Sequence, residues 1–192
     1  RVRSDLRRVA VFSVVALVVV GIAPYVLDTF MVNSLIRGFL YAAVALTVDI
    51  LWGYTGVLTF GQSAFFGIGA YAAGLVFTHL GFGTGYAALA LGAGVLAAVI
   101  VAAVIGWLSF YHGASPLYAS VVSLVLPIVL TQVIYTGGEF TGSSSGLSGF
   151  ESFDVSMELW FWIAGTYLVA LTAGAWLFVR SDAGRILVAI RD

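Results

Sequence analysis

One polar segment, residues 53–63, lies between two long apolar stretches of this sequence. It contains three glycines, two threonines, a glutamine and a serine. Irregular backbone at membrane depth is tolerated only where protein buries it or where it lines a wet cavity, and transporters use such breaks to direct helix ends and carbonyl groups at a substrate. We therefore predict a re-entrant or pathway-lining element. The candidate pathway residues are Tyr54, Thr55, Gly56, Thr59, Gln62 and Ser63.

The alternative interpretation of this segment is a plain cytoplasmic turn. Leu58, Phe60 and Phe65 argue against it, because an exposed loop of this length rarely carries so many large apolar side chains. Both interpretations require that the flanking apolar stretches cross a membrane.

Serines near residue 145 raise the possibility of hydrolase chemistry. Residues 142–146 fit G-x-S-x-G, and residues 146–149 fit the G-x-S-G of rhomboid-type intramembrane proteases. A nucleophile elbow needs a preceding strand, and a serine hydrolase needs a base within reach. No histidine follows His112 in the chain. A rhomboid-like protease is therefore a remote alternative, and we predict neither a catalytic residue nor a metal site, since His79 and His112 belong to opposite sides of the membrane.

The composition is that of a membrane protein. Hydrophobic residues make up 61% of the 192 residues and charged residues 9%, whereas a soluble domain is typically about one-quarter charged. Residues 50–138 contain no Asp, Glu, Lys or Arg. With a net charge of −1 and no lysine, the chain has no basic surface for nucleic acid and no Walker A motif, so any nucleotide must be bound by another chain.

Hydropathy predicts an all-α, polytopic transmembrane helix bundle. A helix needs about 20 apolar residues to cross the bilayer, and six stretches qualify: residues 9–27, 30–52, 64–80, 86–108, 117–135 and 159–179. A signal peptide is the alternative for the first of these stretches, but no cleavage site leads from it into a polar domain. Arginines at both ends of the chain place both ends, including the N-terminus, in the cytoplasm. The expected location is therefore the cell membrane.

Small residues at four-residue spacing predict close helix packing. The fourth span carries Ala90, Gly94, Ala98, Ala102 and Gly106. The sixth carries Thr166, Ala170 and Gly174. Such ridges let helix backbones approach in lipid, although an alanine-rich helix also produces this spacing by chance.

Three segments resemble the permeases of branched-chain amino acid ABC transporters, in particular the LivM type. Residues 49–71 resemble the signature G-Y-x-G-x-[LI]-[ST]-x-G-[HQ]-x-A-F-F-x-I-G-A-Y, with Gln62 where many members have histidine. Residues 181–192 resemble the cytoplasmic loop S-x-x-G-R-x-L-x-A-I-R-[DE], and residues 141–149 resemble the outer element T-G-G-S-x-G-L-x-G.

The second match implies a helix that couples the permease to an ATPase. In the family this loop docks into a groove of the ATPase subunit, and a juxtamembrane basic anchor is the alternative. We expect the cytoplasmic coupling loop over residues 180–192, and the residues that the match assigns to coupling are Gly184, Arg185, Ile186, Ala189, Ile190 and Arg191. The outer element is expected to form a compact loop that shapes the mouth of the pathway, and a flexible linker is its alternative.

The resemblance implies one transmembrane permease domain over residues 1–192, as the N-terminal portion of a longer permease. It implies an ATP-driven importer with two ABC ATPase subunits, a homologous second permease and an extracytoplasmic solute-binding protein. ATP would be bound by the ATPase subunits, so no cofactor is expected in this chain. Branched-chain amino acids are the expected substrate. The alternatives are a urea or short-amide permease of the same superfamily and, more remotely, an ion channel.

Overall fold

The computed structural model describes residues 2–110, 115–149 and 153–191, and within them the side chains of residues 2–6, 116, 183, 185, 190 and 191 are not described. His112 thus lies outside the described residues. Six of the helices are long and apolar enough to cross a membrane, and the described residues contain no strand. The prediction of an all-α polytopic fold is confirmed. The chain forms two compact units, Arg1–Thr55 with Asp154–Asp192, and Gly56–Phe153.

The first unit contains four helices and a short π-helical segment. The helices are α1 (Val2–Val26), α2 (Thr29–Ile50), α6 (Met157–Arg180) and α7 (Asp182–Arg191), and the π-helical segment Leu51–Thr55 continues directly from α2. Side chains cap two of these helices. Asp28 Oδ1 accepts a hydrogen bond from the Met31 N–H at 3.0 Å, and Ser156 Oγ accepts one from the Leu159 N–H at 3.3 Å.

Helix α6 is the centre of the first unit, because both α1 and α2 pack against it. Phe161 of α6 is 1% exposed, and its ring meets that of Phe39 edge-on at 5.1 Å. One turn further along, Gly165 brings α6 close to α1, since a Cβ atom built on it would lie 2.5 Å from a methyl carbon of Val20. Close packing at a glycine is how helices associate where water provides no driving force.

The second unit contains α3 (Gln62–Leu80), α4 (Thr84–Phe110) and α5 (Pro116–Thr136), followed by 3₁₀ turns at Gly138–Phe140 and Ser143–Ser145. Its main contact joins α3 to α4. Ala90 is 1% exposed, and a Cβ atom on Gly94 would lie 2.7 Å from the carbonyl oxygen of Gly69. The two backbones therefore touch at this point.

Only part of the predicted small-residue ridges is used for packing within the described residues. Ala90 and Gly94 are buried, whereas a Cβ built on Gly106 would meet open space among the residues that the structure describes. In α6 the predicted ridge is exposed, and Gly174 also has open space around it. The buried face of α6 instead carries Phe161, Ala164 and Gly165. Spacing alone was misleading because two faces of α6 carry small residues, and the bulk of Phe161 selects the packed one.

Candidate functional site

The predicted pathway segment begins as a π-helix and then leaves helical geometry. Tyr54 and Thr55 end the π-helical segment, and both are partly exposed. The Thr55 hydroxyl donates to the Leu51 carbonyl at 2.5 Å. Gly56 follows with φ +71°, a left-handed conformation that glycine adopts without steric cost and that commonly ends a helix. π-Helical turns are rare and are frequent at functional sites.

In the second unit, the non-helical part of the segment is attached to the middle of α5. The Phe60 N–H donates to Ser123 Oγ at 3.0 Å, and the Ser123 hydroxyl donates in turn to the Ser120 carbonyl at 2.7 Å. Ser123 is 6% exposed. A backbone donor without helical partners is thus satisfied by a buried hydroxyl, as membrane depth requires. Sequence reasoning missed Ser123, because it is one of several hydroxyl-bearing residues within an apolar span.

Gly61 of the segment lies against α5 at a backbone carbonyl that lacks its helical hydrogen bond because of a proline. Because Pro127 has no N–H, it cannot donate to the Ser123 carbonyl, which is four residues earlier in α5. A Cβ atom built on Gly61 would lie 3.1 Å from that carbonyl oxygen and 3.3 Å from the Ser123 Cβ. Glycine at this position of the signature therefore permits a close approach between the segment and α5.

The remaining pathway candidates lie where α3 begins. Thr59 Oγ1 is 3.4 Å from the Gly61 N–H, and Gly61 is the N-cap of α3 without a side-chain cap. Gln62 and Ser63 form the first turn, Gln62 partly exposed and Ser63 exposed. Tyr54 and Thr55 belong to the first unit, and the other four candidates belong to the second. Their role in a substrate pathway stays a prediction.

Replacing Ser123 with alanine is expected to release the backbone around Phe60 from α5. The substitution removes the hydroxyl that accepts a hydrogen bond from the partly buried Phe60 N–H, which costs about 1–3 kcal/mol when no replacement is found. Hydrogen exchange at Phe60, measured in detergent, should accelerate. Ser144→Ala is the control, because Ser144 is exposed on the loop after α5. Equal exchange at Phe60 in both variants would show that the Ser123 hydroxyl does not hold the segment.

The predicted coupling segment forms helix α7, joined to α6 by a tight turn. The Ser181 hydroxyl donates to the Phe178 carbonyl at 2.6 Å, and the Ser181 N–H donates to the same oxygen at 3.0 Å. Gly184 is buried. A Cβ atom built on it would overlap the backbone of Val179, 2.5 Å from its carbonyl carbon and 2.7 Å from its Cα. The glycine of the cytoplasmic-loop motif therefore lets α7 lie directly on the end of α6.

Helix α7 has one covered face and one open face. It packs against α6 and against the π-helical segment Leu51–Thr55. Ile186 is 61% exposed, and Ala189, three residues later and on the same side of the helix, is also exposed. Arg185, Ile190 and Arg191 belong to α7, but their side chains lie outside the described part of the chain. The open apolar face is available to another subunit.

The outer-element motif, residues 141–149, folds as a compact loop on α3. The Tyr71 hydroxyl donates to the Thr141 carbonyl at 3.3 Å, and the Thr141 hydroxyl donates to the Ile134 carbonyl at 2.6 Å. His79 Nε2 is 3.1 Å from the Phe140 carbonyl oxygen, and the two rings stack at 4.6 Å. The loop is therefore tied both to α3 and to the end of α5.

The serine-rich part of this loop is not a nucleophile elbow. Gly142 adopts φ +76°, and residues 143–145 form a 3₁₀ turn rather than following a strand. The Ser143 hydroxyl donates to the Tyr135 carbonyl at 3.3 Å. The geometry thus lends no support to the protease alternative.

The described residues form six long apolar helices, with a non-helical stretch after the second and a short helix after the sixth. This combination is typical of helical membrane transport proteins. A family model described as the permease component of branched-chain amino acid transport systems matches residues 30–192. The chain therefore belongs to this permease family, which indicates a multi-pass membrane transport subunit that works with other subunits rather than an enzyme. No curated protein and no solved structure matched the chain significantly.

Proposed function

We propose that the chain is the permease subunit of an ATP-driven ABC importer for branched-chain amino acids. The observation that carries this proposal is the contact of α7 with both the end of α6 and the π-helical segment Leu51–Thr55. It joins the helix expected to meet an ATPase to the segment expected to line the pathway. The proposed assembly contains two ATPase subunits, which bind the ATP, a homologous second permease and a solute-binding protein on the outer side.

Coupling would proceed through the backbone contacts of α7. When the ATPase subunits close on ATP, they displace the open face that carries Ile186 and Ala189. Since Gly184 lies against Val179 without an intervening side chain, the displacement reaches α6 directly. The same displacement acts on Leu51–Thr55 and so on Tyr54 and Thr55. Closely packed elements transmit such shifts because they have few ways to absorb them.

The distribution of arginines supports a cytoplasmic N-terminus. Arg8 of α1 and Arg180 of α6 line the same groove of the first unit, so the two basic ends of these helices lie together. Positive residues accumulate on the cytoplasmic side of membrane proteins. On this basis we propose that α7 lies in the cytoplasm, on the side of the proposed ATPase subunits.

The absence of charge from residues 50–138 favours a solute without net charge. A zwitterionic amino acid with an apolar side chain fits this requirement, and the family description favours it over urea. Pathway groups would then be hydroxyl, amide and backbone groups such as those of Thr59, Gln62 and Ser63, which contact a net-neutral solute without an ion pair.

The test is ATP-dependent uptake by the full-length permease, reconstituted with its partner subunits in lipid vesicles. We expect labelled leucine to accumulate only when ATP is supplied on the side of α7 and the binding protein on the other side. The matched control contains ATPase subunits that cannot hydrolyse ATP. Leucine equilibration without ATP would instead indicate a channel. Accumulation of urea in preference to leucine would reassign the substrate to the short-amide class.

A further inference from the structure

The first unit has a groove between α1 and α6, at the end where the arginines of these helices meet. It has a volume of about 360 Å³. Residues from both helices line it: Arg8, Val9, Phe12, Thr172, Ala173, Trp176 and Arg180. None of these residues belongs to the permease signature, and only Arg180 belongs to the predicted coupling loop, as its first residue, so the groove is separate from the proposed pathway.

The lining changes from charged to apolar along the helices. Arg8 and Phe12 are one turn apart on α1, and Thr172, Trp176 and Arg180 follow at one-turn intervals on α6. The Arg180 guanidinium lies over the Trp176 ring at 3.9 Å, which orients it by a cation–π interaction. The groove is therefore lined by two arginines towards one end, by an aromatic ring beside one of them and by mainly apolar side chains further along.

We infer that this groove binds an anionic phospholipid such as phosphatidylglycerol. Guanidinium groups bind phosphate oxygens through paired hydrogen bonds, and basic pockets between transmembrane helices are typical sites for acidic lipid headgroups. Tryptophan favours the depth at which headgroup meets acyl chain. The chain of the lipid then runs along Val9, Phe12 and Ala173. A zwitterionic lipid fits less well, because its ammonium group meets the same two arginines.

This lipid would act as a bridge between the first and last spans of the unit. Helix α1 packs mainly on α6, with little contact to α2, and α6 continues through Ser181 into α7. A phosphate held between Arg8 and Arg180 therefore stabilises the end of α6 from which α7 departs. The inference does not depend on which solute is transported.

The experiment measures lipid retention by the full-length permease. The protein is taken from vesicles with equal amounts of phosphatidylglycerol and phosphatidylcholine, and the lipids that remain bound after purification are measured by mass spectrometry. We expect enrichment of phosphatidylglycerol, and a roughly fivefold lower ratio of the two lipids in Arg8→Gln and in Arg180→Gln, since each basic residue near a lipid headgroup contributes about this factor. Both arginines are exposed, so these variants should fold.

Arg37→Gln is the matched control, because it removes the same charge from α2 of the same unit without touching the groove. It should retain the enrichment of the unsubstituted protein. Equal lipid ratios in Arg8→Gln and Arg37→Gln would overturn the inference. Displacement of the lipid by equimolar glycerol 3-phosphate would also overturn it, in favour of a soluble phosphate ester. Loss of a protein subunit in Arg8→Gln without a change in lipid would reassign the groove to a protein interface.

Discussion

Replacing Gly184 with alanine is expected to reduce ATP-driven uptake about tenfold or more, with the permease still inserted in the membrane. The added Cβ overlaps the Val179 backbone, which cannot rotate away as a side chain would. Helix α7 must then tilt from α6. Overpacking of this kind costs about 1–3 kcal/mol, and each 1.4 kcal/mol corresponds to a factor of ten. The displaced helix would no longer meet both the ATPase subunit and Leu51–Thr55.

Uptake and ATP hydrolysis are to be measured on the same reconstituted sample. If α7 couples the two, Gly184→Ala should lower uptake more than it lowers hydrolysis by the partner subunits. Gly174→Ala is the control, since its Cβ on α6 meets open space and the chemical change is identical. Uptake by Gly184→Ala at the level of Gly174→Ala would remove the support for coupling through this contact.

Replacing Phe161 with alanine is expected to destabilise the first unit by about 3 kcal/mol or more. Phe161 is 1% exposed, and its ring packs edge-on against Phe39. In lipid the cost arises mainly from lost van der Waals contacts and from the cavity left between helices, because acyl chains solvate an apolar side chain as well as protein does. The neighbouring glycine contact at Gly165 prevents the helices from closing the gap easily.

Unfolding in detergent, monitored by helical circular dichroism against denaturant, measures this loss. Phe178→Ala provides the comparison within the same helix, because Phe178 is 45% exposed and its removal leaves no cavity. We expect a change of less than about 1 kcal/mol for that variant. Similar losses of unfolding free energy in the two variants would mean that packing around Phe161 does not stabilise α6.

Much of the architecture follows from hydropathy alone. Five of the six predicted spans begin within two residues of the observed helix, because caps such as Asp28 and Ser156 immediately precede the apolar stretches. The exception is α1, which begins at Val2. There a charged, hydrophilic turn extends the helix beyond the bilayer core, and an apolar count does not register such residues.

The contacts of the candidate site were less accessible from sequence. A motif drew attention to Gly61 and Gly184, but each glycine is required by a close approach to backbone. For Gly61 that backbone is at Ser123, which is distant in sequence, and for Gly184 it is at Val179, across the turn between α6 and α7. Ser123 itself went unnoticed, since nothing in the sequence distinguishes it from Ser120 and Thr131 of the same helix. Which face of α6 is packed likewise depends on the neighbouring helices α1 and α2, and the periodicity of α6 carries no information about them.

Because the segment Leu51–Thr55 is π-helical, the number of residues in it matters as much as their types. A π turn closes its hydrogen bonds five residues apart instead of four, so it accommodates one residue that an α-helix would not. Deleting a single residue here would let the turn relax to α geometry with little rotation of Gly56, because the wider π turn already absorbs the extra residue. Deleting a residue from the α-helical part of α2 would instead rotate the residues that follow by about 100°. A sequence comparison that places a one-residue gap within this turn would therefore still pair residues that face similar directions, whereas a gap elsewhere in α2 would not.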